Sequence, residues 1–345
     1  MIDLHVVGRL RGLHGFRATS LEHEGFTPKQ AAFLLLVLEH SGVFVERQYC
    51  AFAGITHGQK THDFLRRLTG NGVAREVRPG ALHRGRLYHV HHKRLYATIG
   101  EPDNRNRRPA PIGALAARLM LLDLVLDDPS RLWLGTSRDK RLYFSEVDTQ
   151  RRLEDVELPH LRYGTGRDRV LRLFPDKFPI GAVTQDPDAH VFTYLVTHRN
   201  PMDFRAFLQR HHSLLSFGGS WVLRVALPRP FHGVELQFRR VIREELFAPM
   251  ELSEMQELEW YCQERLRRER DPSPARDRRF EGAERRFRSP RCASLYRQYK
   301  QRGIAALAGV VSRVLLDKLQ RDEARVQFVL LKRQYLHLAP LVGVA

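Results

Sequence analysis

Cysteine is nearly absent. Cys50, Cys262 and Cys292 are the only three in 345 residues, and they lie far apart. That spacing excludes a disulfide framework and a zinc finger, and it suits a reducing compartment, so a cytoplasmic location is expected. Long apolar runs are also missing. Phe33–Leu38 is short and Leu119–Leu126 carries Asp123, so no transmembrane helix is expected. The opening MIDLHVVGRLRG has neither a sustained apolar region nor a small-residue cleavage site, and no signal peptide is read there. There is no internal repeat and no GxxxxGK[ST]. The glycines of YGTGRDRV (Gly164, Gly166) open no helix at once, so they do not make a nucleotide loop. Lysine is scarce as well, with eight among 57 basic residues.

What remains is a core-forming chain with an unbalanced charge. Hydrophobic residues make up 43%, enough to exclude a disordered chain. Against 57 Lys and Arg stand 39 Asp and Glu, for a net charge of +18 and a pI near 10.4. Such excess arginine calls for a polyanion, and nucleic acid leads that class. An anionic membrane fits less well, because the arginines sit amid Pro and Asp rather than along one helix face.

Two stretches read as boundaries: Gly100–Pro111, rich in Pro, Asn and Arg, and Arg268–Pro290, Arg-rich and expected to be mobile or ordered only on a polyanion. The units read are residues 25–100, 110–230 and 231–345; the first stretch separates the first two, and the second lies within the last. The expected class is α+β, with a winged helix-turn-helix, a central mixed α/β module and a C-terminal helical basic tail.

In the first unit, Thr27-Pro28 opens a helix and Ser41-Gly42 stops it. Val43–Val45 is extended, Glu46–Ala53 is a second helix, and a third runs from Thr56 or His57 to about Thr69, ended by Asn71-Gly72. Strands Val73–Val77 and Arg86–Val90 flank a loop, and a short helix Lys93–Ile99 follows. That order predicts a winged helix-turn-helix, with the third helix in the major groove of double-stranded DNA. Its polar face offers Gln59, Lys60, His62, Asp63, Arg66 and Arg67. Gln and Arg can bond base edges bidentately. The wing offers Arg75, Arg78, His83, Arg84 and Arg86 for phosphates or a narrow minor groove. The competing reading is a protein-docking winged helix whose charges merely face solvent.

Farther on, Ile112–Leu126 reads as a helix, and RLWLGT with RLYFSE reads as a hairpin turning at Ser137–Lys140. Strands are read at Val170–Phe174, Ile180–Val183, His190–Thr197 and Trp221–Leu227, with an amphipathic helix at Pro201–Phe217. The tail shows helical patterns over Val234–Leu266, with a Ser253/Gln256 capping box, and over Leu295–Leu316; Val326–Leu338 suits either a strand or a helix. Its arginines suit phosphate contacts, and its apolar pieces suit a homodimer.

Three stretches carry a resemblance: ERQYCAFAGITHGQKTHDFLRRLTGNGVA, RLYHVHHKRLYATIG, and FPDKFPIGAV with HVFTYLVTHRNPMDFRAFLQRHHSLLSF and WVLRVALP. Together they resemble the replication-relaxation type of winged-helix protein carried by plasmids and conjugative elements. The resemblance implies a central module related to the PD-(D/E)xK nuclease fold. It also implies a role as transcriptional regulator or accessory replication or transfer factor, with relaxosome or replication proteins as partners. The nuclease pattern needs a second acid and a following lysine, and Val191–Thr197 has neither. Asp176 alone stands for the first acid, so a catalytically dead module is expected, with no cofactor and no metal. The rival is a metal-dependent nuclease or nicking enzyme using Asp176 with Asp186 or Asp188.

Other candidates have plain explanations. His89, His91 and His92 lack a carboxylate or Cys at local spacing, and His211 and His212 point apart on a helix. Ser216 and Ser220 flank a helix end without a base and an orienting acid. Cys50 reads as a small core residue.

Overall fold

The structure, a computed structural model, describes residues 4–77, 86–146, 158–164, 170–183, 189–217, 219–271, 277–333 and 335. The class is α+β: N-terminal helices with a small sheet, a central mixed sheet and a C-terminal helical region.

The chain starts with a helix that the sequence pattern does not announce, α1 (Leu4–His23). It carries no clean apolar stripe, yet Val6, Val7 and Leu10 enter the central core while Leu21 enters the N-terminal one. Next comes α2 (Pro28–His40). Its start follows from Thr27: the Thr27 hydroxyl accepts from the Gln30 amide at 3.4 Å, and Gln30 Oε1 accepts from the Thr27 amide at 3.1 Å. Such a cap contributes about 1 kcal/mol. Gly42 turns the chain into β1 (Val43–Val45) with φ +71°, and a Cβ there would collide with the Asn106 backbone.

Then follow α3 (Glu46–Ala53), α4 (Gln59–Gly70), β2 (Ala74–Val77), β3 (Leu87–Val90) and α5 (Lys93–Thr98). The three strands form one antiparallel sheet in the order β1-β3-β2. Phe33, Phe44, Tyr49, Phe64 and Tyr88 form a buried aromatic cluster between that sheet and α2–α4.

The segment Gly100–Pro111 packs closely. It holds a 3-10 turn at Arg105–Arg107, and buried Asn106 donates to the Leu38 and Glu39 carbonyls. Helix α6 (Ile112–Leu126) packs on both sides: Leu115, Leu119 and Leu121 share a cluster with Val43, Val45 and Leu87 of the small sheet and with Leu195 and Ala226 farther along. Its buried Asp123 accepts from Gln48, Arg47 and Tyr335.

After β4 (Trp133–Leu134) the expected hairpin does not form. Ser137–Glu146 is helix α7 instead. Thr136 caps it, its hydroxyl accepting from the Asp139 amide at 3.0 Å, and buried Tyr143 and Phe144 lie next to each other on the core side. Strands β5 (His160–Tyr163) and β6 (Val170–Leu173) pair with each other.

The central sheet takes β7 (Ile180–Gly181), β8 (His190–Leu195) and, after α8 (Met202–Ser216), β9 (Trp221–Leu227). The chain then leaves the sheet through α9 (Glu235–Leu246), α10 (Leu252–Arg270), α11 (Arg278–Arg286), α12 (Pro290–Arg302) and α13 (Val314–Gln320), and returns as β10 (Ala324–Leu330). The sheet order is β10-β9-β8-β7-β4, with β8, β9 and β10 parallel and the rest antiparallel. The C-terminal helices are therefore an excursion between two neighbouring strands, and the last region is not purely helical.

Three further expectations need correcting. The segment from Arg268 is largely helical, because Asp277 caps α11 through the Arg279 and Phe280 amides and Phe280 packs on Tyr261; residues 272–276 lie outside the described ones. Helix α10 begins at Leu252 without a Ser253/Gln256 capping box. Leu295–Leu316 is not one helix, since Gly303 at φ +65° ends α12 and a 3-10 turn follows.

Candidate nucleic-acid interface and a buried charged cluster

Helix α4 is divided cleanly. Thr61, Phe64, Leu65 and Leu68 are buried, while Gln59, Lys60, His62, Asp63, Arg66 and Arg67 are exposed. This follows from apolar spacing of three and four on a helical period. The candidate contact residues of the helix are thus brought onto one solvent face. Some are held in place: Gln59 donates to Asp63 at 2.8 Å, Arg66 pairs with Asp63 at 3.2 Å, and Arg67 donates to the Gly25 carbonyl. Arg75, paired with His89 across the β2–β3 ladder, and Arg86, just before β3, are both exposed. Arg86 interacts with Tyr88, whose hydroxyl also donates to Glu46 at 3.0 Å. Arg78, His83 and Arg84 lie outside the described residues, as do Asp186 and Asp188.

Asp176 lies just before β7, where Arg210 of α8 embraces it: Nη2 donates to Oδ1 at 2.9 Å and Nε to Oδ2 at 3.3 Å. It borders a polar cavity of about 300 Å³ together with Glu39, His40, Glu101, Lys140 and Lys177. Burial pushes Lys140 down to about 8, partly offset by Asp176 and Asp139. Lys177 also falls to about 8, through burial and then the charges of Arg118 and Arg172.

The histidines resolve individually. His89 is 1% exposed and bonds the Asn106 carbonyl at 3.0 Å, where the Asn106 turn covers it. His211 is buried with Nδ1 on the Phe207 carbonyl at 2.9 Å. Cys50 is half-buried, with Sγ 3.4 Å from the Thr61 hydroxyl.

One site had no counterpart in the sequence reading. Arg17 on α1 is 2% exposed; its Nη1 donates to Glu39 Oε1 at 2.6 Å and Asp139 Oδ2 at 2.8 Å, and its Nη2 to Asp139 Oδ1 at 2.9 Å. His14, one helical turn earlier, places Nε2 at 3.8 Å from Glu39 Oε2 and 3.9 Å from Asp139 Oδ2. Burial opposes charge on Arg17, but its two carboxylate partners outweigh that and raise its pKa. Burial and the Asp139 charge raise the Glu39 carboxyl. Burial works against Asp139 as well, yet Arg17 holds it below the usual range. Neighbouring His40 is driven down to about 3, mainly by burial. A Cβ on Gly135 would stand 2.7 Å from the His40 ring, so the glycine lets the β4–α7 turn close over α2. The available signal was the pair Glu39-His40 ending an otherwise apolar helix.

No family model, no curated protein and no solved structure matches this chain. Among the described residues, no helix is long and apolar enough to cross a membrane.

Proposed function

We propose that this protein binds double-stranded DNA through residues 25–100 acting as a winged helix-turn-helix, with α4 in the major groove and the β2–β3 hairpin along the backbone. The observation that carries the reading is the strand order β1-β3-β2 beneath α2, α3 and α4. It supports a recognition helix that leaves its polar face free, followed by an antiparallel strand pair. The exposed row Gln59, Lys60, His62, Arg66 and Arg67 and the net charge of +18 support the same partner.

The central module is then a scaffold related to the nuclease fold, without chemistry of its own. In chain order the described elements run α6, β4, α7, β5, β6, β7, β8, α8 and β9, and the unit β8–α8–β9, with its two strands parallel, is what supports that relation. Arg210 already satisfies Asp176, which supports a structural role for this acid. Action as a regulator or accessory replication or transfer factor of a mobile element, as a homodimer or beside relaxosome proteins, belongs to the same proposal.

The test is fluorescence anisotropy of the purified chain on labelled duplex DNA across a salt series. Affinity that falls steeply with salt, and falls further in Lys60→Ala and Arg66→Ala, supports the reading. A flat salt response would overturn it. Mg²⁺-dependent plasmid nicking abolished by Asp176→Ala would instead favour the nuclease alternative.

A further inference from the structure

The buried cluster under α1 holds two donor atoms that face each other without a hydrogen-bond partner: His14 Nε2 and Glu39 Oε2, 3.8 Å apart. The Glu39 side chain is fully shielded from solvent. A buried carboxylate oxygen left unmatched costs free energy comparable to a lost hydrogen bond or more, so such a pair calls for something between its members. Asp139 Oδ2 completes a triangle, 3.9 Å from the same imidazole nitrogen. The three donors lie within 4.8 Å of one another.

We infer that His14, Glu39 and Asp139 form a binding site for one divalent transition-metal ion, of the class to which Zn²⁺ belongs. The spacing suits it. Metal bonds to imidazole nitrogen and carboxylate oxygen run at about 2.0–2.2 Å, so two bonds meeting at an open angle span a little under 4 Å. One nitrogen and two oxygens suit Zn²⁺ and its neighbours better than Ca²⁺ or Mg²⁺, which take oxygen shells.

Arg17 does not close the site. It grips Glu39 through Oε1, leaving Oε2 turned toward His14, and it fixes the plane of Asp139 through both oxygens. It thereby positions two ligand carboxylates, as partners of ligand groups do in metal sites generally. The His14 side chain keeps 15% of its surface exposed, while its Nε2 is turned into the buried cluster. Because the ligands come from α1, α2 and α7, a bound ion would clamp the first helix to both neighbouring modules. This inference does not depend on the DNA-binding proposal.

The test uses the full chain freed of metal with a chelator, then titrated with Zn²⁺ by calorimetry and followed by thermal unfolding, with Co²⁺ absorption reporting the ligand field. The expected result is one ion per chain, a higher unfolding temperature with Zn²⁺, and affinity reduced about tenfold or more in His14→Ala. Glu39→Gln should behave likewise. If that variant fails to fold, His14→Ala decides, since its side chain is partly exposed and its circular dichroism can be checked. No uptake, or uptake unchanged in His14→Ala, overturns the assignment. So does uptake lost in His91→Ala, which would place the ion at the β3 histidines.

Discussion

Two charged regions of this molecule draw on the same side-chain types and treat them in opposite ways. Under α1, Glu39 and Asp139 are packed out of water and joined through Arg17, with His14 beside them. On α4, Arg66, His62 and Asp63 stand in solvent with loose pairings. Burial decides which is which. Inside, each charge needs a partner or folding fails; outside, water screens the pairs and leaves the cations available to another polyanion. Composition alone cannot separate the two roles.

The largest expected effect breaks the buried side. Arg17→Met should cost about 3–5 kcal/mol in urea unfolding, because two carboxylates lose their counter-ion in a site that water does not reach. A loss below about 1 kcal/mol would mean that the cluster is wetter than its geometry implies.

Acid should act next, through buried histidines. Burial lowers His40 to about 3, and His89 and His211 to about 4. Their folded pKa values lie below the unfolded 6.5, so the unfolded chain binds more protons as pH falls. Stability is therefore full above pH 6.5 and lost toward pH 4, by about 1–2 kcal/mol for each group by pH 5. Glu39 works in the other direction: its raised pKa contributes stability at low pH that fades as pH rises. Denaturant melts from pH 7.5 to pH 5 read the sum, and His89→Gln should flatten the curve by one histidine's share. Stability that stays constant over that range would rule out three neutral buried imidazoles.

The exposed side is sharpened by binding, not by stability. If Gln59 or Arg66 makes a good base contact, its alanine variant should lower preference for a specific site by about 1–3 kcal/mol. Arg75→Ala and Arg86→Ala should weaken all sequences alike and reduce the salt slope by about 0.9 for each phosphate no longer neutralised. Identical behaviour of the two sets in anisotropy titrations would undo the assignment of groove and backbone roles. The smallest effect closes the comparison: Arg66→Ala should change folding stability by less than about 0.5 kcal/mol, because its Asp63 pairing is a surface pair. A large loss there would place Arg66 in the framework of the fold.

Local grammar carries well where it is complete. Thr27-Pro28, Gly42, the apolar stripe of α4, and the span Ile112–Leu126 all stand where capping and periodicity put them. It fails where a pattern has two readings. Arg141–Glu146 is apolar enough to read as the second strand of a hairpin turning at Ser137–Lys140, but the Thr136 cap and the adjacent Tyr143-Phe144 pair make Ser137–Glu146 a helix. Helix α1 is not legible in the sequence, because Gly8, Gly12 and Gly15 interrupt a weak apolar pattern and only its neighbours tell which faces are buried.

The sequence by itself determined the positive charge, the caps and turns, the two-faced α4 and the absence of a second acid on β8, since each depends on residues within a turn or two of one another. Tertiary structure alone decided the rest. Arg17 meets Glu39 across 22 residues and Asp139 across 122. Parallel β9 and β10 are neighbours although helices α9 to α13 lie between them in the chain. Contacts at such separations arise from packing that excludes water from several elements at once, and no local period encodes which distant partner fills the remaining space.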